Sequence, residues 1–322
     1  MTLRVFAIWF VLLSALSAAG GQWWLRQQAQ ESFRQLAALL RPGLLLRYQQ
    51  IPLWPPALPL HYQGLSLEPA GEYQQALGLP IGYKLRVRQA RIVALELEPD
   101  QSLRELRIEL RGVEMPWLPA RPVLLENPAV LGAPFPGAKA LQWPQLEFDA
   151  DVSLRYDRAS AVLALSVNAL APGQARAYWN QLVEATPEQI AQADFVSMPF
   201  ISLRMEYADL GLLPRTKEAL AVQERLNLES WEQATLLRLN EISQSGRWSW
   251  DPGSAEAVRK FVRNPSYAAL RLEPLSPVLP RNVGLYAPGD WLALFGAQIS
   301  VEGVFNHPLS QEAADEPAPP AP

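Results

Sequence analysis

Glu147, Asp149 and Asp151 stand at alternate positions in the run QLEFDADVSLRYD, and three carboxylates at that spacing could do chemistry. A strand's period of two puts them on one face, where they could work as an acid/base pair or ligate Ca²⁺. The same spacing also makes the solvated face of an ordinary strand, opposite a basic strand such as Lys84/Arg86/Arg88, where cross-strand charge pairs add modest stability. That plainer reading completes a period-two pattern and needs no further cause. The chain has two histidines, His61 in an early strand and His307 beside the C-terminal tail. No G-x-S-x-G elbow accompanies them, and the spacing of a zinc site is missing.

Cysteine is absent, which removes disulfides, thiolate metal sites and Cys nucleophiles together. No glycine-rich phosphate loop occurs. Trp248 and Trp250, in GRWSWDPG, lie in a turn ahead of a helix, where they cap the helical insert or touch a membrane or partner. The residue inventory thus predicts no catalytic residue, no metal ligand and no cofactor, and so a protein that is not an enzyme.

The elements that would position these residues are mostly strands. From Tyr83 to Pro99 the side chains alternate: Tyr83, Leu85, Val87, Val93, Leu95 and Leu97 share one parity, while Lys84, Arg86, Arg88, Glu96 and Glu98 take the other. The parity recurs in Leu106/Ile108/Leu110, in Leu146 through Tyr156, in Leu163/Leu165/Val167 and in Ile201/Leu203/Met205/Tyr207. Such alternation predicts antiparallel sheet with one buried and one solvated face. A strand near seventeen residues is about three times the usual length. It predicts either a bend near Gln89-Ala90 or a long, highly curved sheet.

Helical signals interrupt this pattern twice. The stretch PGQARAYWNQLVEATPEQIAQADF reads as a helix followed by a second one, started by the capping pair Thr186/Gln189 with Pro187 at its first position. Between Pro214 and Phe261 three more are expected, the last with Asp251 as N-cap ahead of Pro252.

Twenty-one residues without a charge, Val5 to Leu25, separate Arg4 from Arg26, close to the ~20 a helix needs to cross a bilayer. Trp23 and Trp24 followed by Arg26 fit an interfacial belt and a retained anchor. The alternative is cleavage, with Ser17-Ala18-Ala19 as a signal-peptide site; the Trp pair favours the retained anchor. A short helix, then the Pro-rich IPLWPPALPL, connects this segment to the body. The 322-residue chain carries a net charge of −4 and is 49% apolar. Three of its acids, Glu312, Asp315 and Glu316, sit in the Pro/Ala-rich tail, so the body is close to neutral and has no electrostatic footprint for nucleic acid.

The segments MEYADLGLLPRTKEAL and VRKFVRNPSYAALRLEPLSPV resemble uncharacterised bacterial membrane-anchored periplasmic proteins. The shared positions are Asp209, Gly211, Leu212, Arg215, Phe261, Pro265, Pro274 and Pro277. HYQGLSLEPAGE and the long amphipathic strands after it are similar to the wider AsmA-like group of envelope proteins. That resemblance implies lipid held on the apolar face of a curved sheet, and it supplies no active-site residue.

Together these readings predict an α+β chain: a curved, mostly antiparallel sheet of long amphipathic strands with a helical insert, preceded by one N-terminal transmembrane helix. The expected parts are an anchor or signal sequence (1–25), a juxtamembrane helix and Pro-rich elbow (26–59), a periplasmic β-rich domain (60–308) with helical inserts at about 173–194 and 214–263, and a disordered tail (309–322). The expected setting is the bacterial inner membrane, single pass, with the bulk in the periplasm. The expected partners are that membrane and a lipid ligand, with no nucleic acid. The candidate groove face is Tyr83, Leu85, Val87, Val93, Leu95 and Leu97. If helices cover that face it is core, and the protein is a structural scaffold or accessory subunit docking an envelope partner. If part stays open it is a groove for acyl chains, since large contiguous apolar surface rarely persists without use.

Overall fold

The computed structural model describes residues 34, 44–47, 60–69, 82–98, 103–116, 145–191, 197–244, 251–286, 290–307 and 309. Ten strands form one antiparallel sheet in which each strand neighbours the next in sequence. They are β1 (Leu44–Arg47), β2 (Leu60–Pro69), β3 (Leu85–Leu97), β4 (Leu103–Pro116), β5 (Gln145–Asp157), β6 (Val162–Ala171), β7 (Ala175–Glu184), β8 (Phe200–Asp209), β9 (Tyr267–Leu272) and β10 (Gln298–Ser300). Among the described residues the sheet is accompanied by α1 (Pro187–Ala191), α2 (Leu212–Gln223), α3 (Leu228–Gln244), α4 (Pro252–Arg263) and α5 (Trp291–Leu294). The architecture is α+β, as the alternation anticipates. Among the described residues no helix is long and apolar enough to cross a membrane, and the expected anchor at 1–25 lies outside them.

Alternation builds the sheet, but the parity does not run unbroken. In β2, β3 and β4 the buried positions step by three rather than two: Tyr62 to Leu65, Val87 to Ala90, and Leu110, half-buried, to Val113. Gly64 and Gly112 sit at that step with φ of 62° and 61°, a left-handed conformation open to glycine at little cost. An inserted residue of this kind swaps the faces beyond it and strengthens local twist. The switch in β3 falls at Arg88 and Gln89, both exposed, overlapping Gln89-Ala90, where a bend is one of the two expectations for so long a strand. β5 has no such step, so β4 bulges against it between Leu110 and Val113.

Most of the core lies on the apolar face of β2 to β6, around Tyr62, Val87, Ile92, Leu103, Leu106 and Leu163. The connection after β7 folds over it. Ala185, Ile190 of α1 and Met198 join the cluster, and Tyr156 donates its hydroxyl to the Ala185 carbonyl at 3.1 Å. α1 begins with a reciprocal cap: the Thr186 N–H donates to Gln189 Oε1 at 2.8 Å, and the Gln189 N–H donates to Thr186 Oγ1 at 3.3 Å. A second, small cluster of Leu220, Ala221 and Trp231 joins α2 to α3.

Two expected boundaries change. The helix read at about 173–184 is instead a turn followed by β7, paired on both sides with β6 and β8. Its Ala, Gln, Arg and Glu favour helix by only tenths of a kcal/mol each, less than two ladders and the burial of alternate side chains provide. The sheet also starts earlier than residue 60, since β1 lies inside the stretch assigned to the connecting elbow. Helices α2, α3 and α4 occupy the second insert as the periodicity predicts, with Asp251 Oδ1 accepting from the Ser254 N–H at 2.9 Å as the N-cap of α4.

Candidate functional site, an apolar concavity on the sheet

Register carries one apolar row across eight strands. Ile92, Ile108, Val152, Val167, Trp179, Met205, Leu270 and Ile299 are cross-strand partners in turn, from β3 to β10. Beside it runs a row of smaller residues, Ala150, Ala169, Ala177, Tyr207 and Ala268. Where these rows cross β6 to β10, the large side chains of one and the alanines of the other leave a concavity of about 460 Å³, which Leu165 also lines. That volume falls within the range of small-molecule sites. Most of its lining side chains are half-buried and Ala177 is exposed, in contrast to the sealed core over β2 to β6.

Few polar groups reach this concavity. The indole N–H of Trp179 is buried with no acceptor among the described residues. Tyr207 donates its hydroxyl to Asp209 Oδ1 at 2.7 Å; burial and then that carboxylate push the phenol's pKa far above its ordinary value. Asp209 also accepts from the Gly211 and Leu213 N–H groups at 2.9 Å each, starting α2. The Asp209/Gly211/Leu212 part of the sequence resemblance is thus a strand-to-helix turn. Phe261 of α4 meets the Tyr207 ring edge to face at 6.1 Å.

The six groove residues expected from β3 do not share one face. Val87 is buried at 1% exposure, and Leu95 packs against the same core. Leu85 is half-buried. Tyr83 precedes β3 and donates its hydroxyl to the Pro116 carbonyl at 3.1 Å; burial raises its pKa. Val93 is the inserted residue of a bulge between Ile92 and Ala94, exposed on the polar face in a trough of about 200 Å³ with Arg107, Glu109 and Asp151. Leu97 is exposed at the strand's end. The step at Arg88 and Gln89 and the bulge at Val93 each shift the parity, so the second returns Leu95 to the face of Val87 while Val93 is turned to the other.

On the polar face the three acids of β5 are each engaged. Asp151 Oδ1 accepts from Arg111 Nη1 at 2.9 Å, and Asp149 Oδ1 accepts from the Gly112 N–H at 2.7 Å. Glu147 pairs with Arg88, which reaches it from β3 by crossing over Gly112 on the intervening β4. A Cβ on Gly112 would lie 3.0 Å from the Arg88 side chain. This is the solvated, charge-paired face, and among the described residues no group of acids or histidines could hold a metal ion.

His307 is placed more definitely than its neighbourhood in the sequence suggests. The strap after β10 turns back across the polar face, and the His307 ring stacks on Tyr178 at 3.7 Å and 5°. Its Nε2 lies 3.2 Å from Glu206 Oε1, and its carbonyl accepts from Asn168 Nδ2 at 2.8 Å. Leu309 is buried at 4% exposure, so the ordered chain runs past the expected start of the tail. Glu206 is itself 3% exposed. Burial raises its carboxyl pKa, but the pull of His307, Arg204 and Tyr267 outweighs this and holds it below the ordinary value. His61 pairs through its backbone with Arg91, far along the sheet from His307. Trp248 and Trp250 lie outside the described residues.

Ala177 and Trp179 escape a sequence reading because they sit in the stretch read as a helix. The signal was present: Ala175, Ala177, Trp179 and Val183 alternate with Arg176, Tyr178 and Asn180. No protein-family model matches the chain, and no curated protein matches it.

Proposed function

We propose that this protein is a non-enzymatic, membrane-anchored envelope protein that holds the acyl part of a lipid in the concavity on β6 to β10. The observation that carries the reading is the half-buried, almost wholly apolar floor running from Leu165 to Ile299. Apolar surface of that extent is costly to leave in water and favours an apolar occupant. The Trp179 N–H offers such a ligand a single donor, suited to an ester or carboxyl oxygen. The candidate groove therefore moves from β3, whose apolar side chains serve the core, to the later strands.

The test fills the concavity without introducing a charge. Ala177 is exposed within it, so Ala177→Trp occupies the space while the fold is retained. The full chain is purified in mild detergent and its lipids are identified by mass spectrometry, with thermal unfolding on the same sample. The expected result is lipid with the wild type and at least a several-fold loss in a variant of unchanged stability. A wild type carrying no lipid, or a folded variant carrying as much, overturns the reading.

A further inference from the structure

The register of the sheet sorts its loops to two ends. The start of β1, the end of β4, the start of β5, the β6–β7 turn at Ala171/Ala175, the end of β8 at Asp209 and the start of β9 at Tyr267 all lie at one end. The chain enters β1 at that end, coming from the uncharged segment Val5 to Leu25. The helical insert also leaves and returns there. α2 and α3 pack chiefly on each other, α3 packs on α4, and α4 is the helix that lies along β10. With twelve residues in α2, about 18 Å of helix at 1.5 Å per residue, the α2–α3 turn lies at the end of α2 away from β8.

Three aliphatic side chains are exposed at and beside that turn, among the polar Gln223, Arg225, Asn227 and Glu229. Val222 is 76% exposed, Leu226 37% and Leu228 40%. Between them Arg225 adopts φ of 58°, a position after a helix that ordinarily falls to glycine or asparagine. Its side chain has no ion-pair or hydrogen-bond partner among the described residues. The turn is nonetheless built firmly. The Glu224 N–H donates to the Leu220 carbonyl and the Leu226 N–H to the Ala221 carbonyl, both at 2.9 Å, while Asn227 Oδ1 accepts from the Ser230 N–H at 2.7 Å to cap α3. A rigid tip with exposed aliphatic side chains around one unpaired arginine suits a lipid interface, where the aliphatic groups enter the acyl boundary and a guanidinium pairs with phosphate.

We propose that the α2–α3 turn is a membrane-contact tip that seats Val222, Leu226 and Leu228 in the bilayer surface, with Arg225 on lipid phosphates. The proposal rests on the reading of residues 5–25 as the membrane anchor, because β1, the first strand after that segment in the chain, starts at the end of the sheet where the insert leaves and returns. It also gives the concavity an orientation. Its Ala177/Tyr207/Ala268 row lies two residues in from that end, so a lipid leaving the bilayer meets the apolar floor without crossing the sheet.

The chain has no cysteine, so a single introduced one carries a unique label. Val222→Cys and Leu226→Cys report on the tip and Leu12→Cys on the anchor. Leu275→Cys is the control, fully exposed and following β9 at the opposite end of the sheet. Each full-length variant is labelled with an environment-sensitive fluorophore and placed in phosphatidylethanolamine/phosphatidylglycerol vesicles containing nitroxide-labelled lipid. The expected result is a blue shift and several-fold greater quenching at positions 222 and 226 than at 275. Quenching at 222 and 226 no greater than at 275 overturns the tip. Should position 12 be quenched in that same experiment, the anchor stands while the tip fails. Quenching at the tip with none at position 12 supports the tip and overturns the anchor.

Discussion

Gly112→Ala tests whether the parity switch and the reach of Arg88 across β4 are as real as the register implies. Two costs are separable. Gly112 has φ of 61°, and a residue with a Cβ in that conformation costs about 1–2 kcal/mol. The new Cβ would also lie 3.0 Å from the Cβ, Nε and Cζ of Arg88, displacing the arm that pairs with Glu147. That pair is exposed on both sides, so its loss adds only about 0–1 kcal/mol. The expected total is about 1–3 kcal/mol, read as a lowered urea midpoint of the full chain in detergent, followed by tryptophan fluorescence. Gly173→Ala is the internal comparison: its φ is 64° with no atom within 4 Å of an added Cβ, so it isolates the backbone cost. In an Arg88→Ala background the Gly112→Ala cost should fall towards the Gly173→Ala value without reaching it, because the alanine removes the contacts with Nε and Cζ and keeps the one with Cβ. A Gly112→Ala cost below about 0.5 kcal/mol refutes the left-handed bulge, and an unchanged cost in the Arg88→Ala background refutes the crossing.

Further outcomes follow from the packing and the buried charges. Leu95→Glu, on the core face of β3, should destabilise by about 2–4 kcal/mol and act through folding, so a variant that melts like the wild type contradicts that placement. Lys217 donates to the Val262 carbonyl at 2.9 Å, to the Arg263 carbonyl at 3.3 Å, and pairs with Glu232. Lys217→Met should therefore lower stability by about 2 kcal/mol, measured by chemical denaturation. Because the carboxyl pKa of Glu206 is held down in the fold, its contribution is present above the unfolded value of about 4.3 and lost as pH falls below it. A thermal midpoint against pH should accordingly fall more steeply in acid for the wild type than for Glu206→Gln, and parallel curves would exclude Glu206 as the cause.

Much of the architecture is legible in the sequence because it is set by local rules. Alternation in β5, in β6 and in the Leu106–Leu110 part of β4 fixes which side chains face the core, the 3.6-residue period and Asp251 fix α4, and the Thr186/Gln189 pair fixes the start of α1. What only the tertiary structure decides depends on partners distant in the chain. β7 is a strand because β6 and β8 flank it, against propensities worth tenths of a kcal/mol. Val93 leaves the face shared by Val87 and Leu95 because single-residue steps in β3 exchange the two faces and then exchange them back, and parity counted along one strand is blind to such steps. Glu206 and His307 meet because the strap recrosses the sheet a hundred residues later. The apolar face is sealed over β2 to β6, where Ile190 and Met198 pack against it, and stays partly open over β6 to β10. Coverage is a property of how distant segments pack, so no period in the strands themselves encodes which half becomes core and which remains a concavity.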